Sequence, residues 1–190
     1  MPINDIILTV TSSSVFLIPI FAGMYLLRFW KLRVTGVYYL FSLYLCIVYR
    51  ITGLPDITYL RWDPDVAFIP FIGMVGDLRS TVLNVVLFLP LGIALPLFWK
   101  RYEVLRNTII LGALISLGIE TAQLFTYRAT DINDLITNIS GTYLGYLIHK
   151  ACLPNKYANN TDDVPMLLCI IFTVMFFGEP IVHGILDKLL

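Results

Sequence analysis

The stretch from Ser116 to Gly145 reads SLGIETAQLFTYRATDINDLITNISGTYLG, and its pattern decides the fold. It predicts two hydrophobic helices joined by a tight turn at residues 127–130. Each residue of an α-helix advances the side-chain direction by about 100°, which assigns residues to faces. Within an arc of roughly 80°, one face of the first helix carries Gly112, Ser116, Glu120, Gln123 and Tyr127. An arc of similar width on the second helix carries Asp131, Asp134, Asn138, Gly141 and Gly145. Two polar stripes on adjacent apolar helices predict a site rather than a solvated surface.

The composition predicts an integral membrane protein. Hydrophobic residues make up 58% of the 190 residues, and charged residues make up only 14%. In soluble domains about a quarter of the residues are charged. The apolar runs are long enough to cross a hydrocarbon core about 30 Å thick, which takes about 20 helical residues. We therefore expect a single transmembrane domain over residues 1–190, surrounded by the lipid bilayer. The net charge of zero gives no basic patch that would bind nucleic acid.

Six hydrophobic runs predict an all-α, polytopic helical bundle with about six transmembrane helices. The runs cover about residues 6–30, 37–54, 81–99, 107–127, 132–151 and 164–186. Gly178, Glu179 and Pro180 are expected to interrupt the sixth run. The apolar residues 67–72 are too few to span, so we expect a short interfacial or re-entrant segment before the third helix. No Lys or Arg precedes the first run, which favours a retained span over a cleavable signal peptide.

The distribution of Lys and Arg predicts the orientation. The connections after the first, third and fifth spans hold eight basic residues, namely Arg28, Lys31, Arg33, Lys100, Arg101, Arg106, Lys150 and Lys156. The opposite connections hold Arg61, Arg79, Arg128 and Lys188, with Arg50 near the end of the second span. Because cytoplasmic loops carry the excess of Lys and Arg, the first set is expected inside. This places both termini and the turn at residues 127–131 outside.

The polar residues of the two stripes are expected in the outer leaflet. Glu120 and Asn138 are each seven residues from the turn, which puts them roughly 10 Å below it. Asn84 enters from the same side at the start of the third span. Ionised groups at membrane depth cost about 2.5–3.5 kcal/mol each on insertion scales, so they normally face inward and pair.

The acidic residues of this region outnumber the basic ones. Glu120, Asp131 and Asp134 together with Arg128 carry a formal charge of −2. A proton, a cation or a cationic ligand group could balance it, and so could two neighbouring cations, Arg50 and Arg79. These three acids offer the only hard oxygen ligands in the pattern, which is a weak signal for a metal ion. We predict neither a metal nor a cofactor.

An architectural role for the same residues stays open. Thr130 or Asp131 is a suitable N-cap for the fifth span, and Asp134 suits its first turn. Asn138 and Gln123 could form hydrogen bonds between helices. The pattern Gly141-x-x-x-Gly145 is typical of closely packed helices. Elsewhere, Glu179 and His183 are four residues apart, which favours a local hydrogen bond, and the three cysteines are expected to be free thiols.

Spaced motifs in this order resemble the VanZ-like family. They are Asn84-x-x-x-Phe88-x-Pro90-Leu91-Gly92, Glu120-x-x-Gln123 and Arg128-x-x-Asp131-x-x-Asp134-x-x-x-Asn138-x-x-Gly141-x-x-x-Gly145. The resemblance covers about residues 70–150. It implies a small protein of the bacterial cytoplasmic membrane, from a family whose namesake lowers sensitivity to the lipoglycopeptide teicoplanin. It also implies a functional cluster, namely Asn84, Glu120, Gln123, Arg128, Asp131, Asp134 and Asn138.

Two kinds of function fit this cluster. The first is a binding protein for teicoplanin resistance or cell-envelope homeostasis, whose outward-facing polar pocket engages a lipoglycopeptide or a lipid-linked cell-wall component. The alternative is a membrane enzyme acting on a lipid-linked cell-wall precursor, with Glu120 or Asp131 as general base and Arg128 holding a phosphate. A transporter is disfavoured, because transporters usually bind substrate near the midplane between repeats, and no repeat is visible.

Overall fold

The protein is helical along almost all of the chain that can be described. The computed structural model describes residues 3–27, 31–58, 60–62, 66–67, 69–71, 78–126, 129–153, 160–186 and 188. The helices are α1 (Ile3–Leu26), α2 (Leu32–Ile51), α3 (Leu78–Phe98), α4 (Leu105–Gln123), α5 (Ile132–Cys152), α6 (Val164–Thr173) and α7 (Glu179–Leu186). A 3₁₀ turn covers Lys100–Glu103, and two-residue strands β1 (Val66–Ala67) and β2 (Thr130–Asp131) pair in parallel. The all-α fold class is confirmed.

Among the described residues, five helical runs have the length and composition to cross a membrane. They are Ile3–Leu26, Leu32–Ile51, Leu78–Phe98, Leu105–Gln123 and Val164–Leu186. Helix α5 fills the position of the remaining predicted span and has 21 residues. It is more polar than the others because its buried side includes Asn133, Thr137, Asn138, Thr142 and His149. The protein is therefore a multi-pass membrane protein.

The predicted interruption of the last span is a change of helix type. Residues Val174–Gly178 form a π-helical turn between α6 and α7. Pro180 has no amide hydrogen, so the carbonyl of Phe176 lacks the donor that an α-helix supplies four residues later. The amide of Ile57 donates to that carbonyl instead, at 3.0 Å. The helical run thus continues past Gly178 where the sequence pattern predicted a break.

The chain divides into two compact units. Unit 1 comprises Met1–Leu60 and Asp163–Leu190, and unit 2 comprises Arg61–Asp162. In unit 1, α7 places Glu179 and His183 in the predicted local contact, with 3.1 Å between Oε1 and Nδ1. The single domain predicted for residues 1–190 remains a prediction. The candidate functional cluster lies wholly within the sequence of unit 2.

Helices α3 and α5 of unit 2 pack with their backbones in close approach. A methyl group on Gly141 would overlap the carbonyl of Val85, and one on Gly145 would overlap that of Leu89. Both residue numbers rise together along the two helices, so α3 and α5 run parallel. The predicted close-packing face at Gly141 and Gly145 is confirmed. It fixes the level at which the polar residues of α3 and α5 meet.

Helix α4 runs antiparallel to α5. A Cβ on Gly112 would lie 2.7 Å from the hydroxyl of Thr142, and Ser116 bonds to Asn138 at the next turn. The start of α3, the end of α4 and the start of α5 therefore share one end of unit 2. The described members of the candidate cluster lie at that end.

Candidate functional site

The described members of the cluster gather at one end of unit 2. Glu120, Gln123 and Asn138 are 5%, 4% and 3% exposed. Asn84 is half-buried in the second turn of α3. Asp131 and Asp134 are half-buried at the start of α5, and Arg128 lies outside the described residues. Helix α4 ends at Gln123, earlier than predicted, so Glu120 lies one turn from the end of its helix.

Glu120 holds the chain where it returns toward α5. Its Oε2 accepts a hydrogen bond from the amide of Asp131 at 2.9 Å. The hydroxyl of Thr130 donates to the main-chain carbonyl of Glu120, also at 2.9 Å. The first amides of a helix have no partner within it and carry a partial positive charge, which a carboxylate complements. One oxygen of this buried acid therefore has a structural role.

Asp131 is the N-cap of α5, which resolves one open alternative. Its Oδ1 accepts from the amide of Asn133 at 2.9 Å. Thr130 is not the cap, because its hydroxyl is directed to Glu120. Asp134 lies in the first turn of α5, as predicted. A negative charge there interacts favourably with the helix dipole.

Asn138 joins α5 to α4. Its Nδ2 donates to the hydroxyl oxygen of Ser116 at 2.9 Å, as expected for a hydrogen bond between helices. Ser116 belongs to the polar stripe of α4 but was not predicted as a member of the cluster. Its signal was its position one turn before Glu120 on the same face. Ser116 is completely buried, so this hydrogen bond is shielded from water.

Asn133 is a further residue that the sequence pattern did not reveal. It is 6% exposed, and its Oδ1 accepts from the amide of Phe71 at 2.7 Å. Phe71 has a φ of 67°, in the left-handed region that residues other than glycine rarely adopt. Because 62 residues separate the two partners, local sequence gave no indication of this contact.

Described residues from the segment before α3 contact this end of unit 2. The amide of Arg61 donates to the carbonyl of Phe125 at 3.0 Å, and the rings of Trp62 and Phe125 are 5.1 Å apart. Strand β1 then pairs with β2, with Val66 opposite Thr130. Trp62, Ile69 and Phe71 of the segment are exposed. Exposed aromatic and aliphatic residues beside a helix end suit the predicted interfacial position.

Comparison with known proteins assigns the family. The family model described as VanZ/LLP1 matches residues 36–153, which include the whole cluster. The chain belongs to the VanZ/LLP1 family. The curated relative Protein VanZ of Enterococcus faecium is 33% identical over 103 residues, which cover 53% of this chain and 62% of the relative. The chain thus matches less than two thirds of that relative's length. No solved structure matches it.

The side chains of the cluster offer hydrogen-bonding groups. Among the described residues, no three side chains of His, Cys, Asp or Glu are grouped so that they could hold a metal ion. Glu120 and Asp131 each use an oxygen to accept a main-chain amide. Asn84 and Asn138 lie one level deeper, between the helices. The described members of the cluster therefore place amide and carboxylate groups at one end of unit 2.

Proposed function

We propose that this VanZ/LLP1 protein acts in teicoplanin resistance or cell-envelope homeostasis by binding an envelope component at the polar end of unit 2. The ligand would be a lipoglycopeptide or a lipid-linked cell-wall component whose polar part lies at the membrane surface. Asp131 and Asp134, at the start of α5, would accept hydrogen bonds from the amine and amide groups of the ligand. The side-chain amides of Asn84 and Asn138, one level deeper, would bind its neutral groups.

The observation that carries this proposal is the burial of polar side chains from α4 and α5 at one end of unit 2. Glu120, Gln123 and Asn138 are at most 5% exposed. Polar residues at membrane depth are costly, and they normally line functional sites or pair with each other. All of them lie within the part of the chain that matches the family.

The basic residues of unit 2 support an outward orientation of this end. The opposite end holds Lys100, Arg101, Arg106 and Lys150, while the polar end holds Arg61 and Arg79 among the described residues. The excess of Lys and Arg marks the cytoplasmic side. In the proposed orientation, the cluster faces the outer leaflet of the bacterial cytoplasmic membrane, where lipid-linked envelope components are found.

The contacts of the acids support binding more than catalysis. A general base needs a free oxygen within hydrogen-bond reach of the proton it removes. Glu120 Oε2 and Asp131 Oδ1 each accept a main-chain amide at 2.9 Å, so only the second oxygen of each carboxylate would be left to remove a substrate proton. Turnover of a polyprenyl-linked precursor by the purified protein, with or without Mg²⁺, would favour the enzyme instead.

The test is drug sensitivity in a susceptible Gram-positive host that expresses the protein. The wild type is expected to raise the inhibitory concentration of teicoplanin above that of cells with empty vector, with vancomycin measured in parallel. Glu120→Gln is expected to return the teicoplanin value to that of the empty vector. The amide can still accept from Asp131 through its oxygen, so the substitution removes the charge and retains the structural contact.

The matched control is Glu103→Gln, which removes a half-buried carboxylate at the opposite end of unit 2. It is expected to protect as the wild type does, at equal abundance in the membrane. Full protection by Glu120→Gln would contradict a role for the carboxylate charge. No protection by the wild type would contradict the proposed function as a whole.

A further inference from the structure

Three polar residues lie at about the same level of α3, α4 and α5. Asn84 is six residues from the start of α3, Asn138 is six from the start of α5, and Ser116 is seven from the end of α4. With a rise of 1.5 Å per residue, all three lie roughly 10 Å from the polar end. We call these three residues the amide junction. They lie about one helical turn deeper than Glu120.

The packing of α5 directs Asn138 into the angle between the other two helices. Gly141 touches α3 at Val85, and Thr142 touches α4 at Gly112. Asn138 precedes these two residues by three and four positions, so its side chain lies on the same side of α5. The hydrogen bond to Ser116 confirms its direction toward α4.

The amide of Asn138 is only half used. Its Nδ2 donates to Ser116, while its buried Oδ1 has no hydrogen-bond partner among the described residues. If the amide were flipped, its oxygen would accept from the hydroxyl of Ser116, and its nitrogen would then be the atom without a hydrogen-bond partner. In either orientation, one polar atom of a side chain that is 3% exposed stays available.

Asn84 supplies a second available atom from α3. Its Nδ2 is buried and has no partner among the described residues. It lies next to Val85, the residue that Gly141 touches, which places it beside the junction of α3 with α5. Buried polar groups without partners destabilise a folded protein, and they do so more strongly where bulk water is excluded.

We infer that the amide junction binds a neutral group that both donates and accepts hydrogen bonds, namely a hydroxyl or a carboxamide of the ligand. Asn84 offers a donor, and Asn138 offers an acceptor in the orientation described. An ammonium group would face the donor of Asn84 and would bring an unpaired charge to this depth. The inference rests on the proposed function, and it names the chemistry that the deeper part of the same pocket recognises.

The test compares thermal unfolding of purified full-length protein in lipid nanodiscs. Asn84→Leu replaces an unpartnered amide by an apolar side chain of similar volume, so the unfolding temperature is expected to stay the same or rise. The double variant Asn138→Leu with Ser116→Ala removes the other side of the junction, and the same result is expected. Its two changes remove both partners of one hydrogen bond, so neither partner is left unsatisfied.

The matched control removes a buried hydroxyl that does have a partner. Thr108 is completely buried, and its Oγ1 donates to the carbonyl of Tyr102 at 2.6 Å. Thr108→Val leaves that carbonyl unsatisfied and is expected to lower the unfolding temperature by about 3 °C or more. If the unfolding temperatures of both junction variants fall as far as that of this control, the amides stabilise the fold, and the inference is overturned.

A second arm adds teicoplanin as the probe. It is expected to raise the unfolding temperature of the wild type and to leave that of Asn84→Leu unchanged. An equal rise in both proteins overturns the inference, because binding would then not use the junction. Teicoplanin could change the unfolding temperature of neither protein while both junction variants are as stable as the wild type or more stable. That result would still support the junction as a binding site and would exclude teicoplanin as its ligand.

Discussion

At the residue scale, the same acids that suggest a site also build the start of α5. Glu120 and Asp131 were attractive as site residues because carboxylates at membrane depth need partners. The structure gives each of them a main-chain amide, at 2.9 Å in both cases. A buried acid at the beginning of a helix therefore has an architectural contact as well as a charge. The cap at Asp131 was predictable from its type and position, whereas the hydrogen bond from the amide of Phe71 to Asn133 required the tertiary fold.

The two contributions of Asp131 can be separated by substitution. Asp131→Ala removes the cap and is expected to lower the stability of the protein by about 1 kcal/mol, since that is the typical loss for an N-cap. Asp131→Asn keeps an oxygen that accepts from Asn133 and is expected to stay within about 0.5 kcal/mol of the wild type. Denaturant unfolding in matched detergent measures both values. Equal losses for Ala and Asn would show that the charge, rather than the hydrogen bond, stabilises this end of α5.

At the element scale, small residues set the spacing of the helices, and the spacing sets the amide junction. Sequence periodicity predicted α3, α4 and α5 within a few residues of their observed bounds, because apolar runs and helix caps are local signals. It also predicted the close face at Gly141 and Gly145. It did not predict that α3 is the partner of that face. Pairing of helices depends on contacts between distant residues, such as Val85 with Gly141, that no local pattern encodes.

A methyl group at the close face is expected to force α3 and α5 apart. Gly141→Ala would overlap the carbonyl of Val85 and is expected to lower stability by about 1–3 kcal/mol, the usual range for overpacking. Gly118→Ala is the control, because a Cβ there meets nothing within 4 Å. Alanine is the better helix former, so this control is expected to be neutral or stabilising. The measurement is the thermal unfolding temperature of the two variants. An equal change in both would argue against the close contact at Gly141.

At the scale of the whole molecule, hydropathy identified a multi-pass membrane protein but gave no sign of the two compact units. Composition and run length report which segments are apolar, and they report nothing about which segments pack together. Unit 2 contains the entire candidate cluster, whereas the family match begins at residue 36 and also includes most of α2. The proposed function depends on one global property, which is the side of the membrane that the polar end of unit 2 faces.

The most direct test is therefore the sidedness of two engineered thiols, in a background in which Cys46, Cys152 and Cys169 are replaced. Ala129 is exposed and lies between α4 and α5, and Lys100 is exposed at the opposite end of unit 2, so each is replaced by Cys in turn. A membrane-impermeant maleimide added to intact cells is expected to label the thiol at position 129 at once and the thiol at position 100 only after lysis. The reverse pattern would place the cluster on the cytoplasmic side, out of reach of an envelope ligand, and would contradict the account.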